Sequence, residues 1–114
     1  MKQRLFSSSG KPVVLLSIVA TGACALNANT TANYNTAVGK DALTANTTGA
    51  ANTAVGASSM LGNTTASDNT AIGVSSLYTN TTGTSNTAVG RSALTANTTG
   101  SQNTAIGFAA LTSR

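Results

Sequence analysis

The chain has 114 residues, of which Thr, Ala, Ser, Asn and Gly supply 77, while 4% are aromatic and 7% are charged. There is no His and no Glu, and the only acids are Asp41 and Asp68, so acid–base pairs, catalytic triads and metal clusters lack their residue types. The formal net charge is +4 at pH 7. We therefore predict that the protein is not an enzyme and has no catalytic, metal-binding or cofactor-binding residues.

The N-terminal segment, residues 1–25, differs in character from the rest of the chain. Lys2, Arg4 and Lys11 precede an apolar run at residues 13–20, which leads into Ala23-Cys24-Ala25. This order is typical of a secretory signal peptide that is cleaved after Ala25, and the run is too short for an ordinary membrane-spanning helix. We predict a signal peptide at residues 1–25, a repeat domain at residues 26–114, and a secreted or cell-surface protein that meets the membrane only during export.

Two other interpretations of this N-terminal segment stay open. It could be retained as a strand or helix of the mature protein, or Cys24 could become a lipid-modified N-terminus, although Thr21 stands where such sites usually carry Leu. Cleavage after Ala25 would leave three cations against two acids, a net charge of +1. A nucleic-acid partner is not expected, because the remaining chain has no clustered cationic face.

Two short motifs recur along the chain with one constant period of 17 residues. The first, N-T-A-[VI]-G, begins at Asn35, Asn52, Asn69, Asn86 and Asn103. The second, N-T-T-[GA], begins at Asn29, Asn46, Asn63, Asn80 and Asn97. Together they define a 17-residue unit of the form NTAVGxxALxxNTTGxx. Low-complexity disorder is the alternative, but a disordered tract has no reason to keep aliphatic residues in register, so the pattern indicates stacked repeats.

A unit of this length is too short for the usual helical hairpins and favours short strands joined by turns. We predict an all-β fold, a β-solenoid or β-roll of about five coils. In the first full unit, strand one covers residues 35–38 and strand two covers residues 42–45. The bend between them falls at a glycine in every unit: Gly39, Gly56, Gly73, Gly90 and Gly107.

Stacked coils bring identical residues into columns about 4.8 Å apart. We predict two apolar core columns: Val38, Val55, Ile72, Val89 and Ile106; and Leu43, Met60, Leu77, Leu94 and Leu111. We also predict an inward or corner ladder in which an Asn passes an amide hydrogen bond from coil to coil. Its members are Asn35, Asn52, Asn69, Asn86 and Asn103.

The sequences Ala71-Ile72-Gly73 and Ala105-Ile106-Gly107, each preceded by Asn-Thr, resemble the head repeats of trimeric autotransporter adhesins and of some phage tail fibres. The other three units carry Ala-Val-Gly. The resemblance covers residues 35–114 and implies a left-handed β-roll, a surface location and an adhesion or fibre function. The unit is a few residues longer than the usual adhesin repeat, and the chain has neither a heptad stalk nor a membrane barrel.

The register of the repeats suggests self-association. Residues 30–114 make five whole units, so a second copy that starts near Thr30 would continue the solenoid where the first one ends. Heterologous contacts that do not close produce filaments. We predict a head-to-tail homopolymer, an extracellular filament with a surface-fibre, biofilm or adhesion role, and a subunit junction at Leu26, Asn27, Ala28, Asn29, Thr30, Leu111, Thr112, Ser113 and Arg114.

Other functions stay open at this point. A trimeric adhesin or tail-fibre fragment would bury the apolar columns at a threefold axis and would bind a surface receptor or glycan. An ice-binding solenoid would use its Thr columns, although the T-x-T spacing of such faces is missing. The Asn residues of N-T-T also begin N-x-[ST] sequons and are either glycan acceptors or structural ladders.

Overall fold

The structure, a computed structural model, describes residues 17–112 as a β-solenoid of about five turns. Its six strands each have three residues: β1 (Val19–Thr21), β2 (Thr36–Val38), β3 (Thr53–Val55), β4 (Thr70–Ile72), β5 (Thr87–Val89) and β6 (Thr104–Ile106). They form one parallel sheet in the order β1-β2-β3-β4-β5-β6. The prediction of an all-β fold with one coil per repeat unit is therefore confirmed, and no residue of the described range is helical.

Every strand pairs with the next one at an offset of one repeat unit. Ala37 lies beside Ala54, which lies beside Ala71, and Thr and Val or Ile residues align in the same way. The repeat period of the sequence thus sets the register of the sheet, because each repeat unit forms one coil. Since a slip by one residue would turn every side chain to the opposite face, the repeat specifies the register strongly.

The predicted second strand is wrong, since residues 41–45 form turns. The backbone N–H of Ala42 donates to the Gly39 carbonyl at 3.2 Å, and that of Asn46 donates to the Leu43 carbonyl at 3.2 Å. Asp41 and Leu43 have φ values of 61° and 51°, in the left-handed region. Alternating left-handed residues curl the chain, so this part of the coil turns a corner where an extended strand would run straight.

The interior contains one predicted core column and not the other. Leu26, Leu43, Met60, Leu77 and Leu94 are fully buried, whereas Leu111 in the last coil is 46% exposed. The predicted Val/Ile core column is a wrong assignment: Val38 and Ile72 are 37% and 40% exposed, and Val55, Val89 and Ile106 share their outward position. Successive side chains of a strand alternate between faces, so the inward position belongs to the central Ala of each strand.

The predicted bend glycines lie at a close approach between coils. Gly73 has a φ of +128°, and a Cβ atom there would lie 2.6 Å from the carbonyl carbon and oxygen of Gly90. Gly39, Gly56 and Gly90 repeat this arrangement, and Gly107 has the same backbone conformation. A side chain would therefore meet both an unfavourable φ and the backbone of the next coil.

The first coil begins earlier than the N-T-A motifs indicate. Val19 pairs with Thr36, Ile18 and Leu26 are buried, and Gly22 has a φ of +118° like the bend glycines. Residues 17–25 of the predicted signal peptide thus form part of a coil here, while residues 1–16 lie outside the described range. Among the described residues, no helix is both long and apolar enough to cross a membrane.

Candidate self-association site: coil ends and asparagine ladders

The Asn residues that begin N-T-T, here called the NTT asparagines, form a continuous amide ladder through the interior. Each side-chain Nδ2 donates to the Oδ1 of the equivalent residue one coil earlier, at 3.0 Å for Asn46 to Asn29, 2.9 Å for Asn63 to Asn46, 3.1 Å for Asn80 to Asn63 and 2.8 Å for Asn97 to Asn80. The same Nδ2 also donates to a backbone carbonyl three residues later in its own coil. The ladder closes each coil and ties it to its neighbour.

The Asn residues that begin N-T-A, the NTA asparagines, form a second ladder with a different bonding pattern. The backbone N–H of Asn52 donates to Oδ1 of Asn35 at 2.9 Å, and this bond recurs up to Asn103. Asn35 Nδ2 crosses its own coil to the Gly49 carbonyl at 2.8 Å. Asn35, Asn52, Asn69 and Asn86 are buried and Asn103 is half-buried, but the continuous series of side-chain-to-side-chain bonds belongs to the NTT asparagines.

The two ladders converge on one carbonyl in each coil. Gly49 O accepts from Nδ2 of both Asn35 and Asn46, and Ala66 O accepts from both Asn52 and Asn63. Among the residues that the structure describes, no buried side-chain nitrogen or oxygen lacks a hydrogen-bond partner. Because an unpaired buried polar atom is costly, each Asn is required by the coils on either side of it.

Burial bears directly on the sequon interpretation. Asn46, Asn63 and Asn80 are fully buried and Asn97 is 6% exposed, with their Nδ2 atoms engaged in the ladder. A glycan is attached through this same Nδ2 atom, so the folded coil favours the structural ladder as their role.

In the last described coil, apolar side chains are more exposed than their equivalents in the inner coils. Ile106 is 70% exposed, against 40% for its equivalent Ile72, and Phe108 is 76% exposed. The strand β6 is also an edge of the sheet. Unpaired edges are templates for another strand, so this end is a candidate contact surface.

At the other end, β1 is the opposite edge and its sequence departs from the repeat. Ile18 takes the position of the NTA asparagines and is 4% exposed. Besides the pairing of β1 with β2, backbone bonds hold this segment on the second coil: Tyr34 N–H to Ser17 O at 2.7 Å, Val19 N–H to Asn35 O at 3.0 Å, Gly39 N–H to Thr21 O at 2.8 Å and Asp41 N–H to Ala23 O at 2.8 Å. Isoleucine has no acceptor atom, so it cannot supply the Oδ1 contact that an Asn supplies elsewhere.

The predicted junction residues are divided between the two ends. Leu26 is fully buried and Asn29 Oδ1 accepts from Asn46, so the N-terminal members lie within the first coil. Leu111 and Thr112 lie in the last coil, and Ser113 and Arg114 lie outside the described residues. What the sequence pattern missed is β1, although the spacing of Gly22 and Leu26 from Gly39 and Leu43 carries the signal.

The outer face of the sheet carries two columns, one of Thr and one of Val or Ile. Charged residue types are sparse on the described part of the chain, where they are Lys40, Asp41, Asp68 and Arg91. No cluster of three or more His, Cys, Asp or Glu residues occurs within residues 17–112. The prominent chemistry of this surface is thus apolar contact and backbone hydrogen bonding.

Comparison with known protein families, with curated proteins and with solved structures finds no match to this chain. The similarity to adhesin and tail-fibre head repeats therefore stays a prediction from the motif.

Proposed function

We propose that this protein is an exported structural subunit that polymerises head-to-tail into an extracellular β-solenoid filament, with a surface-fibre, biofilm or adhesion role. The observation that carries the proposal is that one parallel sheet keeps a constant register from coil to coil, and that its last strand, β6, has a strand neighbour on one side only within residues 17–112. The signal-peptide pattern of residues 1–25 supports export.

The two sides of every coil are complementary because they belong to the same repeating ladder. Inside the sheet, Thr36 N–H donates to the Asn52 carbonyl at 2.8 Å and Gly56 N–H donates to the Val38 carbonyl at 2.7 Å. The equivalent groups on the outer side of β6 are Thr104 N–H and the Ile106 carbonyl. A second copy stacked in register would meet them with the partners that every internal coil provides.

Apolar area and low charge support the same contact. Stacking a coil on β6 would lower the exposure of Ile106 from 70% towards the 40% of Ile72, which contributes about 25 cal/mol per Å² of apolar surface removed from water. A net charge near +1 after leader removal opposes association only weakly. The contact joins different surfaces of the two copies and does not close, so it propagates.

Electron microscopy of the purified full chain tests the proposal, with Thr104→Pro as the blocking variant and Thr104→Ser as its matched control. Proline removes the N–H that points out of the last coil, whereas serine keeps it. We expect filaments from the wild type and from Thr104→Ser, and single particles from Thr104→Pro with an unchanged β-sheet circular dichroism spectrum. A wild type that stays monomeric at high concentration by light scattering would contradict the proposal.

A lateral trimer, as in an adhesin or tail-fibre head that binds a surface receptor or glycan, is the second candidate. The outward Val/Ile column favours it, because this column forms an exposed apolar strip along the sheet. The Leu column is already buried within each chain, so only the Val/Ile column is available for a threefold axis. Sedimentation would then give a mass of three chains with no larger species, and Ile72→Asp would dissociate it while leaving the monomer folded.

A further inference from the structure

We propose that residues 18–25 are an exchangeable cap, and that residues 103–110 of a second copy of this chain take their place in the filament. This inference rests on the proposed head-to-tail assembly and identifies the surface it uses. The two segments occupy the same eight positions of the coil from Ile18 and Asn103 onward, since Asn103 follows Ile18 by five whole repeat units. The predicted cleavage after Ala25 would vacate these same eight positions.

The hydrogen bonds of the cap define what a replacement must provide. The second coil uses the carbonyls of Thr21 and Ala23 as acceptors for Gly39 N–H and Asp41 N–H, and uses Val19 N–H as a donor to Asn35 O. In the replacement segment, the equivalent groups are the carbonyls of Ile106 and Phe108 and the N–H of Thr104. Backbone groups supply all three, so the exchange conserves them.

The replacement adds one contact that the cap lacks. In the repeat, the backbone N–H of each NTA asparagine donates to Oδ1 of the Asn one coil earlier, as from Asn52 to Asn35 at 2.9 Å. For Asn35 itself, the residue one coil earlier is Ile18, whose side chain has no acceptor. Asn103 of a second copy would bring an Oδ1 atom to this position and continue the ladder across the junction.

At the junction, Leu26 of the recipient and Leu111 of the donor would compete for the same position of the coil. Leu26 of the recipient is fully buried and keeps its bond from Leu26 N–H to the Ala42 carbonyl at 3.0 Å. Leu111 of the donor has the equivalent position and is 46% exposed in the isolated chain. The donor therefore leaves the coil after Ala110, and the recipient continues it from Leu26.

A disulfide lock on the full chain tests the exchange. Cys24 is an exposed free thiol, and Asp41 is its equivalent in the next coil, with φ values of 63° and 61°. Stacked strands lie about 4.8 Å apart, within the roughly 4.4–6.8 Å between Cα atoms that a disulfide spans. Asp41→Cys thus lets Cys24 fasten the cap to the second coil. The control is Asp41→Ser, since serine occupies this position in the three following coils.

We expect the oxidised Asp41→Cys protein to keep the mass of a single chain, and the reduced protein and Asp41→Ser to form filaments. Filaments from the oxidised protein, with the intramolecular disulfide verified by mass spectrometry, would overturn the cap while leaving end-to-end assembly intact. If neither the wild type nor Asp41→Ser forms filaments, the proposed function itself fails.

Amide hydrogen exchange on the monomer tests whether the cap separates from the second coil, independently of filament formation. We expect Gly39 and Asp41 to exchange about tenfold or more faster than their equivalents Gly56 and Ser58, because their acceptors lie on the cap. Equal protection of the two pairs would show that the first coil does not open separately, and would overturn the exchange.

Discussion

Replacing one NTT asparagine in the middle of the amide ladder should destabilise the whole solenoid. Asn63 is fully buried, and its Nδ2 donates to Asn46 Oδ1 at 2.9 Å and to Ala66 O at 3.1 Å, while its Oδ1 accepts from Asn80 at 3.1 Å. Asn63→Ala removes all three bonds and leaves a cavity that is lined by polar atoms.

The magnitude depends on which partners keep another bond. Ala66 O still accepts from Asn52 at 2.8 Å, and Asn80 Nδ2 still donates to Gly83 O at 2.9 Å. Asn46 Oδ1 loses its ladder donor inside the protein. The stranded Asn46 acceptor costs about 1–3 kcal/mol and the other two lost bonds about 0.5–1.5 kcal/mol each, so we expect about 2–6 kcal/mol of lost unfolding free energy.

Urea unfolding followed by far-ultraviolet circular dichroism measures this loss. The matched control is Asn27→Ala, the same chemical change at an exposed position, which should alter the unfolding free energy by less than about 0.5 kcal/mol. If the two variants unfold at the same urea concentration with the same slope, the ladder does not contribute to stability as argued.

Three further results are expected from the same geometry. Gly73→Ala should cost about 3 kcal/mol or more of unfolding free energy, because its Cβ atom would lie 2.6 Å from the backbone of the next coil. Gly62→Ala is the control, since other coils carry Ala at this position, and it should change the unfolding free energy by less than about 1 kcal/mol. Equal losses for the two variants would contradict the role of the bend. Leu77→Ala should cost about 2–5 kcal/mol of unfolding free energy and Ile72→Ala clearly less, since the first side chain is fully buried and the second is 40% exposed. The denaturant midpoints of the two variants measure this difference. A larger loss for Ile72→Ala would show that the Val/Ile column is covered in solution. Intact mass of protein from a glycosylating host should show no sugar at the four buried NTT asparagines, and modification of folded protein there would refute their role as a ladder.

Period and composition were sufficient to predict the coil, its length and its glycine bend. They could not assign the faces correctly, because Val38 and Leu43 are equally apolar, and what separates them is backbone geometry. The strand turns Ala37 inward and Val38 outward, while the left-handed residue Leu43 points its side chain back to the centre. The alternation of side chains along the strand therefore places the small Ala inside and the larger Val or Ile outside.

The site at the N-terminal end illustrates a different limit. Ile18-Val19-Ala20-Thr21-Gly22 shares only Ala and Gly with the repeat motif. Its apolar composition therefore indicates a leader, although the segment lies in register with the repeat units. Backbone pairing does not depend on side-chain identity, which is why this segment completes a coil while breaking the Asn column. The two Asn columns were likewise interchangeable on sequence alone, since both repeat with the same period and only the position of the accepting carbonyl distinguishes their bonds.

The identical interfaces between successive coils also make the length of this protein adjustable. The hydrogen bonds between coils join a residue to its equivalent, or to a near neighbour of it, in an adjacent coil, and the other ladder bonds close a single coil. Duplication or loss of one 17-residue unit would therefore leave each contact type intact and change the span by about 4.8 Å. The length of the solenoid is therefore set by the number of repeat units, and it can change while the contacts between coils stay the same.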